Sequence, residues 1–178
     1  MSTRAPQYPL RGGFMPKHCI LIVDDEPNIR SSLTRLLQRE GYDTILAENS
    51  DDAFMLLEKK AVSIVLSDFT MPGRSGVDFL REVKKRFPKT IRIILSGKAD
   101  MKAVMEAVNN GVISHFLTKP WNNDILKDMI KHYIQVLEKE QRTEETSKEE
   151  AVNEDLERTY PGITQLKVTD EGAIIIDE

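Results

Sequence analysis

Apolar and polar residues fall in blocks along most of the chain, and the blocks change period from one to the next. Residues 19–23 are apolar without a break and stop at Asp24-Asp25-Glu26. A run of that length ending in acids predicts a strand buried on both faces. Ile29, Leu33, Leu36 and Leu37 follow at helical spacing. Pro27 suits the first turn, where its missing N–H costs nothing, and Gly41 suits the stop. The pairing recurs: further strands are predicted at 42–47, 61–66, 91–95 and 114–117, and helices at 51–59, 77–87, 101–109 and from Asn122 or Asn123 onward. The turn-rich Met71-Pro72-Gly73-Arg74-Ser75-Gly76 separates the third strand from its helix. Parallel strands need crossover helices and bury both faces, so this alternation predicts an α/β protein with a five-stranded parallel, doubly wound sheet.

The segments flanking this block read differently. Residues 1–16 hold Pro6, Pro9, Pro16, Gly12 and Gly13 without apolar period and are expected to be a mobile leader. The α/β body is assigned to 17–138. Its last helix keeps Leu126, Ile130, Ile134 and Leu137, but 138–150 contains no aliphatic residue and cannot bury a face. Residues 139–162 are therefore read as a charged link, helical or flexible, with the flexible form preferred. Ala151, Val152, Leu156 and Tyr160 restore a weak apolar face before Pro161-Gly162. Residues 163–178 read as a β-hairpin around Thr169-Asp170-Glu171-Gly172. A lone hairpin is marginal in water, so it implies docking on this domain, on a second copy or on a partner.

At 178 residues the chain has room for one domain and a short appendage. Charge is uneven: residues 1–138 carry 20 basic and 17 acidic side chains, residues 139–178 only 5 basic and 12 acidic. With no basic footprint and an acidic tail, direct nucleic-acid binding is not expected. The longest aliphatic run, 20–23, excludes membrane insertion, and no secretory signal precedes it, so the expected compartment is the cytoplasm. Cys19 is the only cysteine and is expected to be a small buried strand residue.

In open parallel sheets ligands gather at the carboxyl ends of strands. Those ends carry Asp24-Asp25, Asp68, Ser96-Gly97 and Thr118-Lys119-Pro120. Three carboxylates brought together repel unless a cation sits between them, and an incomplete oxygen set suits Mg²⁺, which keeps several waters and also takes phosphoryl oxygens. An aspartate can attack phosphorus to form an acyl phosphate, while Lys119 and the Ser96 hydroxyl offset charge on the phosphoryl oxygens.

The acid pair after strand one, the lone Asp after strand three, the Ser after strand four and the Lys-Pro after strand five resemble the response regulator receiver family over 17–138. The resemblance implies a flavodoxin-like sheet, with Asp68 as phosphoacceptor, Mg²⁺ held by Asp24, Asp25, Asp68 and the Thr70 carbonyl, and Ser96 and Lys119 on the phosphoryl group. It also implies a switch coupling Ser96 to Phe116, a cis Lys119-Pro120 bond, and a histidine kinase or phosphotransfer protein as donor. Haloacid dehalogenase-type phosphatases also use an aspartyl phosphate, but place a second Asp two residues on, where this chain has Thr70. A turnover enzyme is therefore not expected. The resemblance is to a stand-alone receiver with an appended interaction element, signalling to an unidentified downstream protein or by homodimerisation. The alternative is a constitutive binding module whose tail docks regardless of phosphorylation.

Each residue also has a plainer use. Asp24 and Asp25 suit helix capping, Asp68 a turn and Lys119 a solvated surface. It is their conjunction at strand ends of one sheet that favours a site. Asn49-Ser50-Asp51 and Asp100 are expected to cap helices, His18, His115 and His132 to be structural or surface residues, and Trp121, Met101 and Met105 to pack. Met101 and Met105 also carry a lesser expectation of facing a partner.

Overall fold

The computed structural model describes residues 18–159 and the strand backbone of 167–168 and 174–175. The leader 1–16, the stop at Pro161-Gly162 and the turn of the expected hairpin lie outside the described residues. Contacts divide the chain into two units, Met1–Ile134 and Gln135–Glu178.

In the first unit the elements run β1 (Cys19–Val23), α1 (Pro27–Arg39), β2 (Asp43–Ala47), α2 (Ser50–Lys59), β3 (Ile64–Asp68), α3 (Gly76–Arg86), β4 (Ile91–Ser96), a 3₁₀ turn (Lys98–Asp100), α4 (Met101–Asn109), β5 (His115–Thr118) and the start of α5 (Asn123–Thr159). The five strands form one parallel sheet in the order β2-β1-β3-β4-β5. Strand β1 explains why its run is continuously apolar. Ile20 and Ile22 face a core completed by Leu33 and Leu37 of α1 and Leu126 and Ile130 of α5. Leu21 and Val23 face the opposite core, with α2, α3 and α4. Such double coverage removes both faces from water.

Local chemistry sets the helix starts. Pro27 opens α1, and the Asn49 and Ser75 side chains accept hydrogen bonds from the amides of Asp52 and Asp78 at 2.9 and 3.1 Å. Asn122 accepts from the amides of Asp124 and Ile125 at 2.8 and 3.2 Å. These bonds satisfy amides that have no partner within the helix. Asp100 corrects the sequence reading, for it sits at the N-cap position of α4 without a side-chain capping bond. Strand β3 also starts three residues later than expected. Its ladder begins at Ile64 opposite Ile20, while Thr90 Oγ1 donates to the Val62 carbonyl at 3.0 Å in the lead-in. An apolar pattern alone does not separate ladder from approach. Cys19 is buried on β1, as expected.

Helix α5 continues to Thr159, where the sequence reading prefers a flexible link. No Gly or Pro occurs between Pro120 and Pro161, and the Glu, Lys, Gln and Ala there favour helix without a buried face. Val152 is accordingly exposed. Strands β6 (Lys167–Val168) and β7 (Ile174–Ile175) pair antiparallel. No helix among the described residues is long and apolar enough to cross a membrane.

Among the described glycines, Gly76 makes the tightest approach to other backbone. A Cβ there would stand 2.0 Å from the carbonyl oxygen of Asp68. Gly76→Ala is expected to cost about 3 kcal/mol in urea unfolding, because backbone has to move. Gly97→Ala, whose Cβ would meet only an Asp100 oxygen at 3.6 Å, should stay within about 0.5 kcal/mol of the parent.

Candidate functional site

The site lies at the carboxyl edge of the sheet, where β1, β3, β4 and β5 end side by side. Asp68 is the last residue of β3 and pairs with Leu95, while Ser96 ends β4 opposite Thr118. The parallel register therefore brings to one edge residues separated by 43, 28 and 23 positions in sequence, although the Ser96 hydroxyl is turned to Gly97 and Asp100 rather than to the carboxylates.

Asp24 and Asp68 are buried and Asp25 is exposed, yet one oxygen from each lies within 4.8 Å of the others. Lys119 Nζ reaches into this group, 2.8 Å from Asp68 Oδ1, 3.1 Å from Asp24 Oδ2 and 3.7 Å from Glu26 Oε1. The Thr70 amide donates to Asp68 Oδ2 at 3.2 Å. Asp24 Oδ1 accepts from the Glu26 amide at 2.8 Å, closing an Asx turn ahead of α1. The Lys119-Pro120 bond is cis, as the resemblance implies.

Burial dominates at Asp68 and raises its pKa, and the Asp24 charge adds to the rise, against the opposing pull of Lys119. Burial works against the Lys119 ammonium too, but hydrogen bonds to Asp68 and Asp24 more than offset it and hold its pKa above the usual value. A buried carboxylate next to a firmly protonated lysine, with two more carboxylates at hand, suits binding of a divalent cation and attack on an electrophile. The oxygen-only donor set fits Mg²⁺.

Ser96 is fully buried, and its hydroxyl donates to the Gly97 carbonyl at 3.0 Å and meets Asp100 Oδ2 at 3.5 Å. Phe116 is half-buried against the core under α2, α3 and α4, its ring stacked on His115 at 6.1 Å. Trp121 packs against the core on the α1 and α5 face. Met105, by contrast, is exposed on α4, so the expectation that it packs is corrected. His18 is buried beside Ser63 Oγ at 3.0 Å, and His115 and His132 flank Tyr133.

The sequence reading missed Arg30. It is buried in α1 and donates to the Asp24 carbonyl at 2.6 Å and to Glu48 Oε1 at 2.7 Å. Its signal was a cation three and seven residues before Leu33 and Leu37, on the apolar stripe of the helix.

Comparison with known proteins agrees with this geometry. The chain is 36% identical over 116 residues to the hydrogenase transcriptional regulatory protein HoxA of Cupriavidus necator, covering 65% of this chain and 24% of that protein. It therefore spans about a quarter of that regulator's length. It is 32% identical to the sporulation initiation phosphotransferase F of Bacillus subtilis over 65% of this chain and 92% of that one. Among solved structures, a response regulator receiver domain protein from Clostridium thermocellum superposes with TM-score 0.63 at 31% identity, covering 66% of this chain and 94% of that chain. The response regulator TrrA of Thermotoga maritima, in complex with Mg²⁺ and BeF, does so with TM-score 0.58 at 32% identity over 65% and 98%. The family profile of the response regulator receiver domain matches residues 20–131, a span that holds Asp24, Asp25, Asp68, Ser96 and Lys119 together, and the chain belongs to that family.

Proposed function

We propose that Asp68 takes a phosphoryl group from the phosphohistidine of a histidine kinase or phosphotransfer protein, in a Mg²⁺-dependent reaction. The observation that carries this reading is the meeting of Asp68, Asp24 and Lys119, remote in sequence, around one ammonium group. The Mg²⁺–BeF complex of the similar TrrA supports it.

In this reading a carboxylate oxygen of Asp68 attacks phosphorus. The P–N bond of the donor breaks, and the imidazole leaves with the electron pair and is protonated. Asp24, Asp25, Asp68 and the Thr70 carbonyl would hold Mg²⁺, which when bound neutralises phosphoryl charge. Lys119 exchanges its contact with Asp68 Oδ1 for a phosphoryl oxygen, retaining its proton because Asp24 remains beside it. Ser96 gives up its bond to the Gly97 carbonyl and turns its hydroxyl to the same group. That movement frees space toward which Phe116 turns, which alters the surface offered by α4 and β5. Output follows as a changed protein partner or as self-association. The body 17–138 performs the chemistry, 139–162 links it to the tail, and the tail 163–178 docks on a partner. The cytoplasm is the compartment that a kinase donor of this kind requires.

Incubated with acetyl phosphate and Mg²⁺, the parent chain should gain one phosphoryl group by intact-mass spectrometry, and Asp68→Asn none. Labelling of Asp68→Asn at the parental rate would overturn the assignment. Lys119→Ala should slow labelling by about a hundredfold, the loss typical of removing one charge-stabilising donor.

The raised pKa of Asp68 gives a stability counterpart. The folded chain binds that proton more readily than the unfolded one, so stability falls as pH rises through the window between the ordinary and the raised value. At neutral pH the ionised carboxylate is a cost. With Mg²⁺ chelated, Asp68→Asn should therefore raise Tm by about 2 °C at pH 7, and the gain should vanish on acidification through that window. A lower Tm at pH 7 would show that the Lys119 pairing outweighs burial.

A further inference from the structure

Arg30 lies outside the set that touches phosphate or metal in the reading above, yet its guanidinium is spent on that set. It is buried on α1 and donates 2.6 Å to the carbonyl oxygen of Asp24. A second nitrogen reaches Glu48 Oε1 at 2.7 Å. Glu48 directly follows β2, and its side chain is 71% exposed. The Asp24 amide donates back to the Ala47 carbonyl at 3.3 Å. Arg30 thus closes a bracket between the ends of β1 and β2.

The oxygen it holds belongs to the peptide that joins Asp24 to Asp25. That unit is planar, so fixing its oxygen fixes the direction in which the chain leaves toward Asp25. We propose that Arg30 is a positioning residue for Mg²⁺ binding, its guanidinium setting the bearing of the Asp24 and Asp25 carboxylates by clamping the peptide between them. The inference rests on the reading of this cluster as a Mg²⁺ site.

Position and charge make opposite demands here, which renders the idea testable. Removing a cation beside a cation site should tighten Mg²⁺ binding by Coulomb's law. Removing a clamp should loosen it, as losses of groups that orient metal ligands do. Arg30→Met is therefore expected to weaken Mg²⁺ affinity about tenfold in calorimetric titration of the full chain. Arg30→Lys keeps the charge without the planar fork and should not restore the parental value. At saturating Mg²⁺ the labelling rate with acetyl phosphate should return to within about twofold of the parent, since the effect acts through the metal.

Unchanged or tighter Mg²⁺ binding in Arg30→Met, or full rescue by Arg30→Lys, would overturn the proposal. Glu48→Asp keeps the negative charge but shortens the outer anchor without opening the core, and should weaken Mg²⁺ about threefold. If Arg30→Met does not fold, that variant decides, and parental affinity in it sinks the idea. Asp25→Asn tests the foundation separately, because parental Mg²⁺ affinity there would remove the metal-site reading itself.

Discussion

Three aspartates at one sheet edge, two of them out of water, have to coexist as anions within a few ångströms. Much else about the body can be understood as a response to that constraint. Lys119 directly follows β5 and places its ammonium against Asp68 and Asp24. The Thr70 and Glu26 amides donate to carboxylate oxygens, and Arg30 holds the backbone beneath Asp24. Each of these groups contributes a donor that offsets repulsion or desolvation, and they come from three separate stretches of chain, the start of α1, the loop after β3 and the end of β5. A parallel sheet suits this demand because all its strands end at the same edge.

The two cores make the edge stiff enough to hold such a cluster. Both faces of β1 and β3 are covered, so neither the strand that Asp24 directly follows nor the one that Asp68 ends can shift without disturbing packed side chains. Asp25 is different, being exposed with its bearing set through the backbone. A site with two rigid anions and one steered through a peptide plane is graded in stiffness. Electrostatic stabilisation that is organised before the reaction benefits from the first kind, and an incoming cation is more easily admitted by the second.

Most of this was legible in the sequence because period carries so much information. Continuous apolar runs ending in acids marked both-sides-buried strands, and the interposed helical stripes forced a parallel sheet. Once the strands were parallel, Asp24, Asp25, Asp68, Ser96 and Lys119 had to share an edge. What was not legible depended on competition between alternatives of similar energy. Residues 138–150 lack an apolar face, and the absence of a helix breaker outweighed that lack. Asp100 has the residue type of a cap, but its carboxylate meets Ser96. Met101 and Met105 have helical spacing, yet spacing alone does not say which side of α4 is covered. Arg30 broke an apolar stripe, and its two acceptors, a carbonyl and Glu48, are visible only once the strands are assembled.

Gly76 touches the backbone of the residue it stands eight positions beyond. Its amide donates to the Phe69 carbonyl at 2.8 Å, and no room exists between its Cα and the Asp68 carbonyl for even a methyl group. The end of β3 and the first turn of α3 are therefore joined as a hinge without play. A side chain at position 76 would part the Asp68–Phe69 peptide from the first turn of α3. In mechanical terms the strand that carries the carboxylate and the helix behind it are coupled twice, once through the loop 69–75 and once by direct backbone contact across the gap that the loop spans.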